Sequence, residues 1–287
     1  MNHQRYVWRA CYIDIVLRKC RRRLFFHVTK SSTLPRQKII IFQETSSAGV
    51  KMSIKIDMKP YFKKYEAVVG KVESVFQKMK EDFPQEVTCK RGCSDCCHAL
   101  FDLTLIEALY VNYYFNQQFS GSKKDQLIEK ANKADRQAYK IKKTAYKLTQ
   151  EGKDEAAVIE EISHMRIRCP LLGDDDLCEL YDYRPIACRV YGIPQAVNGK
   201  GRTCGFSGFQ PGKSYPTFNR DILHDMLTVI SAEFVQSIDS KHKRMGDLLV
   251  PLSMALITDY DEAYLGLPSE KTDTDLTREE SNDDSDK

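Results

Sequence analysis

The sequence predicts a mainly α fold, in which helices pack around an irregular, loop-rich segment that carries clustered cysteines. Three observations support this prediction. Apolar residues recur at three- and four-residue steps over most of the region after residue 52. No stretch of the 287 residues shows strands alternating with helices, and eight of the ten cysteines fall between Cys89 and Cys204.

The first predicted helix is PYFKKYEAVVGKVESVFQKMKEDF, residues 60–83. Phe62, Val69 and Phe76 recur on one face at helical spacing, and Pro60 suits a first turn. The next helix, TLIEALYVNYYFNQQF, opens with Thr104 and Glu107, the pair that forms a capping box. The stretch is apolar on more than one side, so we expect it to be buried.

Three further segments have helical periodicity. A charged helix is predicted over residues 123–152 and ends at Gly152. DEAAVIEEISHMRI, residues 154–167, predicts a helix that leads directly into Cys169. After a region rich in Gly, Pro and Asp, residues 219–238 predict a last amphipathic helix, followed by a short one at PLSMALI.

Composition divides the chain into three parts. Residues 1–51 hold eleven Lys or Arg against two acids, and the whole chain has a net charge of +4, so the other 236 residues carry −5. We expect residues 1–51 to be a disordered basic extension, or to precede a true start at Met52. Residues 52–267 are predicted to form one helical domain. The acidic residues 268–287 have almost no apolar side chains, so they are predicted to form a disordered tail.

Charge and hydropathy argue against two classes of function. The body of the chain is acidic, so it lacks the basic surface expected of a nucleic-acid-binding protein. No apolar run approaches the roughly 18–20 residues of a membrane-spanning helix. The first residues lack the apolar segment and cleavage site of a signal peptide. We therefore expect a cytoplasmic protein with neither a nucleic-acid nor a membrane partner.

The cysteines form two groups along the chain. EVTCKRGCSDCCHALF holds the first group, CPLLGDDDLCELYDYRPIACRVYG holds the second, and Cys204 follows in GRTCGFSGF. The candidate ligands are Cys89, Cys93, Cys96, Cys97, Cys169, Cys178, Cys188 and Cys204. In a reducing compartment such cysteines are metal ligands or reactive groups more often than disulfides. Two short stretches that meet in the fold are a common way to build a metal site.

Two other interpretations of the first group fit less well. The spacing Cys89-x3-Cys93-x2-Cys96 is also that of radical S-adenosylmethionine enzymes. Their barrel of alternating strands and helices is not predicted here, and Asp95 stands where an aromatic residue is usual. A thioredoxin-like redox pair would need a βαβ context around Cys93 and Cys96. Because adjacent side chains diverge, we expect either Cys96 or Cys97 to face a second metal or another side of the site.

Charged and imidazole groups adjoin the cysteines. Arg184 and Arg189 flank Cys188, where their guanidinium groups could offset thiolate charge or hold an anionic cofactor or substrate. A structural ion pair with nearby acids explains both arginines equally well. His98 also adjoins the first group. With eight thiols available, we expect His98 to support the site rather than to bind the metal.

The order of these motifs resembles the bacterial CxxxCxxCC family of the YkgJ type, which is described as a zinc- or iron-chelating domain. The resemblance spans about residues 85–205 and rests on the four-cysteine signature, on Cys169-Pro170 and on CELYDYRPIACR. It implies metal ligation by seven cysteines, namely Cys89, Cys93, Cys96, Cys97, Cys169, Cys178 and Cys188. Cys204 is added because it lies near them in the sequence.

Two functions follow from this resemblance. In the first, the protein is a chelator or interaction module that holds zinc or iron, the iron as single ions or as an iron–sulfur cluster. In the second, it is an iron- or iron–sulfur-dependent enzyme that modifies a protein substrate, similar to flagellin lysine N-methylases, which share the signature but are considerably longer. Eight cysteines could fill two closed four-ligand sites, which favours the first function.

Overall fold

Helices make up most of the protein in a computed structural model that describes residues 56–163, 165–197 and 199–267. The prediction of a mainly α fold is confirmed. In chain order the helices are α1 (Lys59–Asp82), α2 (Leu105–Gln118), α3 (Gly121–Gln150), α4 (Glu155–Ser163), α5 (Ile186–Arg189), α6 (Arg220–Ser237), α7 (Leu252–Ile257) and α8 (Glu262–Leu265). Single 3-10 turns lie at Asp95–His98, Tyr181–Tyr183 and Met245–Asp247. The expectations for residues 1–51 and 268–287 lie outside the described residues.

Short strands, which the sequence did not predict, link distant parts of the chain. The strands are β1 (Asp102–Thr104), β2 (Gln195–Val197), β3 (Lys200–Arg202), β4 (Phe218–Asn219) and β5 (Leu249–Pro251). β1 pairs antiparallel with β5, so that Leu103 lies opposite Val250. β2 lies between β3, which is antiparallel to it, and β4, which is parallel. Each strand has two or three residues, too few for periodicity to reveal.

α1 packs its apolar face against α2 and α6, as its spacing predicts. Tyr65 is wholly buried, and the ring of Phe62 meets the ring of Tyr110 edge to face at 5.2 Å between centroids. Burying each of these side chains contributes about 1.5–3 kcal/mol to the free energy of unfolding. Pro60 lies in the first turn, where its missing N–H would have no helical partner. α1, α2 and α6 therefore form the main core.

Glu107 begins one helix and positions another. The predicted capping box is present, with Thr104 N donating to Glu107 Oε2 at 3.2 Å. The other oxygen of the same carboxylate accepts a hydrogen bond from Ile186 N, also at 3.2 Å. Ile186 is the first residue of α5, the short helix that carries Cys188. Glu107 therefore fixes this cysteine relative to the buried helix α2.

α4 is shorter than its sequence predicts. The periodicity extends to Ile167, but the helix ends at Ser163. Ile167 N instead donates to His98 O at 3.3 Å, and Cys169 N donates to Cys97 O at 2.7 Å. The helix prediction beyond Ser163 is wrong because these backbone groups pair with a distant segment, which local periodicity does not reveal.

The expectation of an irregular, loop-rich cysteine segment is not confirmed. The segment contains two 3-10 turns, the short helix α5 and the β2–β3 hairpin. Leu172 and Cys178 also form an isolated antiparallel bridge. Over the described residues, no helix is long and apolar enough to cross a membrane.

Candidate metal centre

The first cysteine group lies on two successive tight turns. Cys93 N donates to Lys90 O at 3.0 Å, and Gly92 takes a left-handed backbone conformation with φ of 82°, which glycine adopts without strain. The following 3-10 turn, in which Cys97 N donates to Ser94 O at 3.0 Å, presents Cys96 and Cys97. All four cysteines of the group are partly buried.

The second group reaches the first through backbone pairing. The hydrogen bond from Cys169 N to Cys97 O joins the two segments directly. Cys178 pairs with Leu172 in an isolated antiparallel bridge. The turn between these two residues is closed by a hydrogen bond of 2.8 Å from Gly173 N to Leu177 O. Cys188 lies in α5, which Glu107 holds in place. The two groups of cysteines therefore meet, as the sequence predicts.

Five cysteine side chains border one cavity, and we call them the cavity thiols. They are Cys96, Cys97, Cys169, Cys178 and Cys188. The cavity has a volume of about 80 Å³, several times the ~10–15 Å³ that one water molecule needs. Ala138 and Ile141 of α3 form part of its apolar wall.

Hydrogen bonds among the cavity thiols favour a thiolate at Cys96. Hydrogen bonds from Cys188 and then Cys97 lower the pKa of the Cys96 thiol to about 4, although burial opposes this shift. The pKa values of Cys188 and Cys97 are raised, first because each donates to Cys96 and second because of burial. These hydrogen bonds therefore favour the thiolate form of Cys96 over those of Cys97 and Cys188.

Further deprotonation of the cavity thiols is unfavourable. Burial raises the pKa of Cys169 to about 12, and burial followed by the charge of Cys96 raises that of Cys178, against an opposing hydrogen bond from Leu180. A bound cation would reverse this preference, because metal ligation requires thiolates and releases their protons.

The other three of the eight candidate cysteines form what we call the second thiol group, namely Cys89, Cys93 and Cys204. They are not among the described residues that line the cavity. Burial raises the pKa of Cys89 to about 12, and the neighbouring Cys93 and Cys204 add to the shift. Burial likewise raises the pKa of Cys204 to about 12. Burial therefore disfavours the thiolate forms of Cys89 and Cys204 when no metal is bound.

Asp95, which the sequence did not identify as a site residue, faces the second thiol group. Cys204 Sγ lies 3.9 Å from Asp95 Oδ2, and Tyr191 donates to the same oxygen at 3.0 Å. Arg166 pairs with Oδ1. An aspartate beside a cysteine in a turn is usually solvated, so the sequence gives no sign that Asp95 belongs to the site. Its side chain is only 9 % exposed, and this burial is the feature that sets it apart.

The two arginines differ in their surroundings. Arg184 borders the cavity, donates to Tyr181 O at 2.8 Å and lies 3.9 Å above the Tyr181 ring. Its charge helps to lower the pKa of Cys96, after the hydrogen bonds described above. Arg189 is buried, pairs with Glu73 and donates to the carbonyl oxygens of Asp182 and Arg184. Arg189 therefore fits the structural ion pair that the sequence left open.

His98 contacts the backbone of the cysteine segments. Its Nδ1 is 3.0 Å from Ser94 O, and its backbone carbonyl accepts the bond from Ile167. Both contacts fit the supporting role that the sequence predicts for it.

An ion pair between a buried carboxylate and a half-buried lysine borders the cavity as well, and the sequence did not predict it. Lys142 Nζ lies 2.8 and 3.0 Å from the two oxygens of Asp102, whose side chain is 4 % exposed. Burial raises the pKa of Asp102 to about 6, although Lys142 opposes this shift. Asp102 lies on β1 and Lys142 on α3, 40 positions later, and no local sequence pattern reveals a pair at that separation.

The thiols are gathered but do not form a closed coordination shell. Among residues 56–163, 165–197 and 199–267, no three His, Cys, Asp or Glu side chains are already arranged to hold a metal ion. The donor set still fits zinc or iron, since both metals favour thiolate ligands.

Comparison with known proteins identifies the cysteine region. Residues 88–205, about two fifths of the chain, match the family model CxxCxxCC, described as "Putative zinc- or iron-chelating domain". The resemblance seen in the sequence is thus confirmed over nearly the same span. No curated protein and no solved structure shows a significant match.

Proposed function

We propose that this protein binds zinc or iron through the clustered thiols of residues 88–205, the region that matches the chelating domain. One observation carries the proposal: five cysteine side chains from separate stretches of the chain border a single cavity. Structural cysteines scatter as small buried hydrophobes and do not need to converge. Convergence on one cavity is the arrangement that a thiolate-bound metal requires.

The cavity thiols are the proposed ligands of the main site. Cys96 and Cys97 bring ligands from the first group, and Cys169, Cys178 and Cys188 bring ligands from the second group. Arg184 offsets part of the negative charge that several thiolates would place there. A metal held by these side chains would cross-link segments about seventy residues apart in the sequence, so its binding free energy would add to the stability of the fold.

A second candidate, an iron- or iron–sulfur-dependent enzyme that modifies a protein substrate, is favoured by one observation. The cavity extends beyond the thiols to Asp102 and Lys142, which leaves room for another molecule beside a bound metal. A catalytic centre needs such an open position, whereas a structural site is closed by protein ligands. The chelator remains our main proposal because Asp102 and Lys142 satisfy each other.

Anaerobic purification followed by metal and acid-labile sulfide analysis tests the proposal. We expect zinc or iron in a fixed ratio to the chain, and a large loss of it in Cys169→Ser. Visible absorption near ~400 nm together with sulfide would identify an iron–sulfur cluster, whereas colourless protein with stoichiometric zinc would exclude one. A chain that holds no metal after anaerobic reconstitution would refute the proposal.

A further inference from the structure

We infer that the clustered thiols serve two separate metal sites, and that the second site takes an oxygen ligand from Asp95. The inference rests on the proposed function, and it divides the proposed metal ligands into two sets. The main site uses the cavity thiols. The second uses Cys89, Cys93, Cys204 and the carboxylate of Asp95.

Backbone contacts bring the second thiol group together independently of the cavity. Thr88 Oγ1 donates to Phe206 O at 2.7 Å, and Gly208 N donates to Glu86 O at 2.8 Å. These two bonds place the chain beside Cys89 against the chain beside Cys204. Phe206 N also lies 3.4 Å from Cys204 Sγ, a contact that would stabilise a thiolate there. Cys89 and Cys204 are therefore joined by their own contacts, and Cys93 follows Cys89 through the turn in which Cys93 N donates to Lys90 O at 3.0 Å.

Asp95 is held in the orientation that a metal ligand needs. Arg166 binds Oδ1, and the Tyr191 hydroxyl donates to Oδ2, the oxygen that faces Cys204. Ligating carboxylates are typically fixed by such outer hydrogen bonds. Without a metal, the Cys204 thiol donates to this oxygen at 3.9 Å, and loss of the thiol proton would place two negative charges side by side. A cation between them would remove the repulsion.

The numbers of ligands agree with two sites. Four-coordinate zinc and iron sites use four protein ligands when they are closed. The cavity offers five thiols, which is enough for one such site. The second thiol group offers three, so that Asp95 completes a set of four. Cys96, which directly follows Asp95 in the chain, is the competing fourth ligand, and the experiment below separates it from Asp95.

Metal counting on the full chain tests the inference. After anaerobic zinc loading and desalting, we expect two zinc ions per wild-type chain. Because five thiols surround the main site, its variant is the double substitution Cys169→Ser with Cys178→Ser, which leaves only three of them. This double variant and Cys204→Ser should each lose one zinc ion and keep the other. Asp95→Asn should weaken only the second site, by about tenfold or more in competition with a chelator. Asp174→Asn is the matched control, because this carboxylate is 98 % exposed and should leave both sites unchanged.

Two further variants separate ligation by Asp95 from other roles. Tyr191→Phe keeps the carboxylate but removes one of its hydrogen bonds, so we expect a smaller loss at the second site than in Asp95→Asn. An equal loss in both variants would make Asp95 a structural acceptor and refute its role as a ligand. Loss of the second zinc in Cys96→Ser, with Asp95→Asn unaffected, would assign Cys96 instead. Circular dichroism must show native helix content for each variant that is scored.

The inference and the proposed function fail differently. A wild-type chain that binds one zinc ion, removed equally by Cys204→Ser and by the double variant Cys169→Ser with Cys178→Ser, refutes the two sites and leaves the chelating function intact. A wild-type chain that binds no zinc, cobalt or iron refutes the function itself.

Discussion

Replacing Gly192 by alanine tests the packing that holds Cys89 in the second thiol group. A Cβ at this position would lie 2.1 Å from Cys89 Sγ and 3.2 Å from Cys89 Cβ, with a ring carbon of Phe76 at 3.6 Å. The first distance is far shorter than any real contact. Gly192→Ala must therefore displace the sulfur of Cys89, the backbone, or both.

Two opposing terms set the expected free energy of unfolding for Gly192→Ala. Overpacking a buried position costs about 1–3 kcal/mol. The lower entropy of alanine in the unfolded chain offsets about 0.4–1 kcal/mol of this cost. We therefore expect a net loss of about 1–2 kcal/mol, measured by urea unfolding of the metal-free protein followed by circular dichroism.

The chain offers a matched control in Gly70. This glycine lies inside α1, and nothing lies within 4 Å of the position that its Cβ would occupy. Gly70→Ala should stabilise the protein by about 0.5–1 kcal/mol, because alanine favours a helix interior. Gly192→Ala and Gly70→Ala with equal stability would refute the reasoning.

A double-mutant cycle identifies the atom responsible. Cys89→Ala removes the sulfur, after which the nearest side-chain atoms around the new Cβ would be at 3.2 and 3.6 Å. Gly192→Ala should then be nearly neutral in the Cys89→Ala background, a coupling of about 1–2 kcal/mol. If Gly192→Ala remained equally costly without the sulfur, the clash with Cys89 would not be its cause.

Three further predictions concern metal, pH and helix packing. Removal of the metal by a chelator and the substitution Cys93→Ser should each lower the melting temperature, because the free energy of metal binding adds to that of folding. Cys11→Ser is the control and should not change the melting temperature, because Cys11 is not among the candidate ligands. The folded pKa of Asp102 is about 6, against an ordinary value of 3.8. The contribution of Asp102 to stability should therefore be largest below about pH 4 and be lost as pH rises through about 6. Asp102→Asn should remove this part of the pH dependence of the metal-free protein. Gly246→Ala should cost about 2–3 kcal/mol, because its Cβ would lie 2.8 and 2.9 Å from backbone atoms of Ala232 in α6.

Each of these predictions has a result that contradicts it. Equal melting of the metal-free and metal-bound forms would make the site an accessory to helices that fold alone. Unchanged pH dependence in Asp102→Asn would assign the titration to another group. A Gly246→Ala variant with wild-type unfolding would show that α6 and the turn at Met245–Asp247 can separate without cost.

The helices could be predicted well because their signals are local. The sequence predicts α1 at 60–83 and α6 at 219–238, and each helix lies within one residue of that range at both ends. Spacing, caps and breakers act within a few residues of each other, so they can be read from a single stretch. The error in α4 has the same origin, since its last predicted turn pairs with a segment about seventy residues earlier.

The candidate site could be predicted only in part. Clustering of the cysteines in the sequence indicates metal binding, and it named all eight candidates. It did not identify Asp95, because a carboxylate next to a cysteine has no distinctive spacing. Nor did it reveal that Arg189 is occupied by Glu73, which lies on α1, 116 residues away.

The sequence by itself determined the helical class, the positions of the main helices and the presence of a thiol-rich region. Only the tertiary structure decided which thiols share a cavity and which lie with Asp95. Those groupings depend on contacts such as Cys169 with Cys97, Glu107 with Ile186 and Thr88 with Phe206. The physical reason is that such contacts form only when whole elements pack together, so no local pattern of residues encodes them.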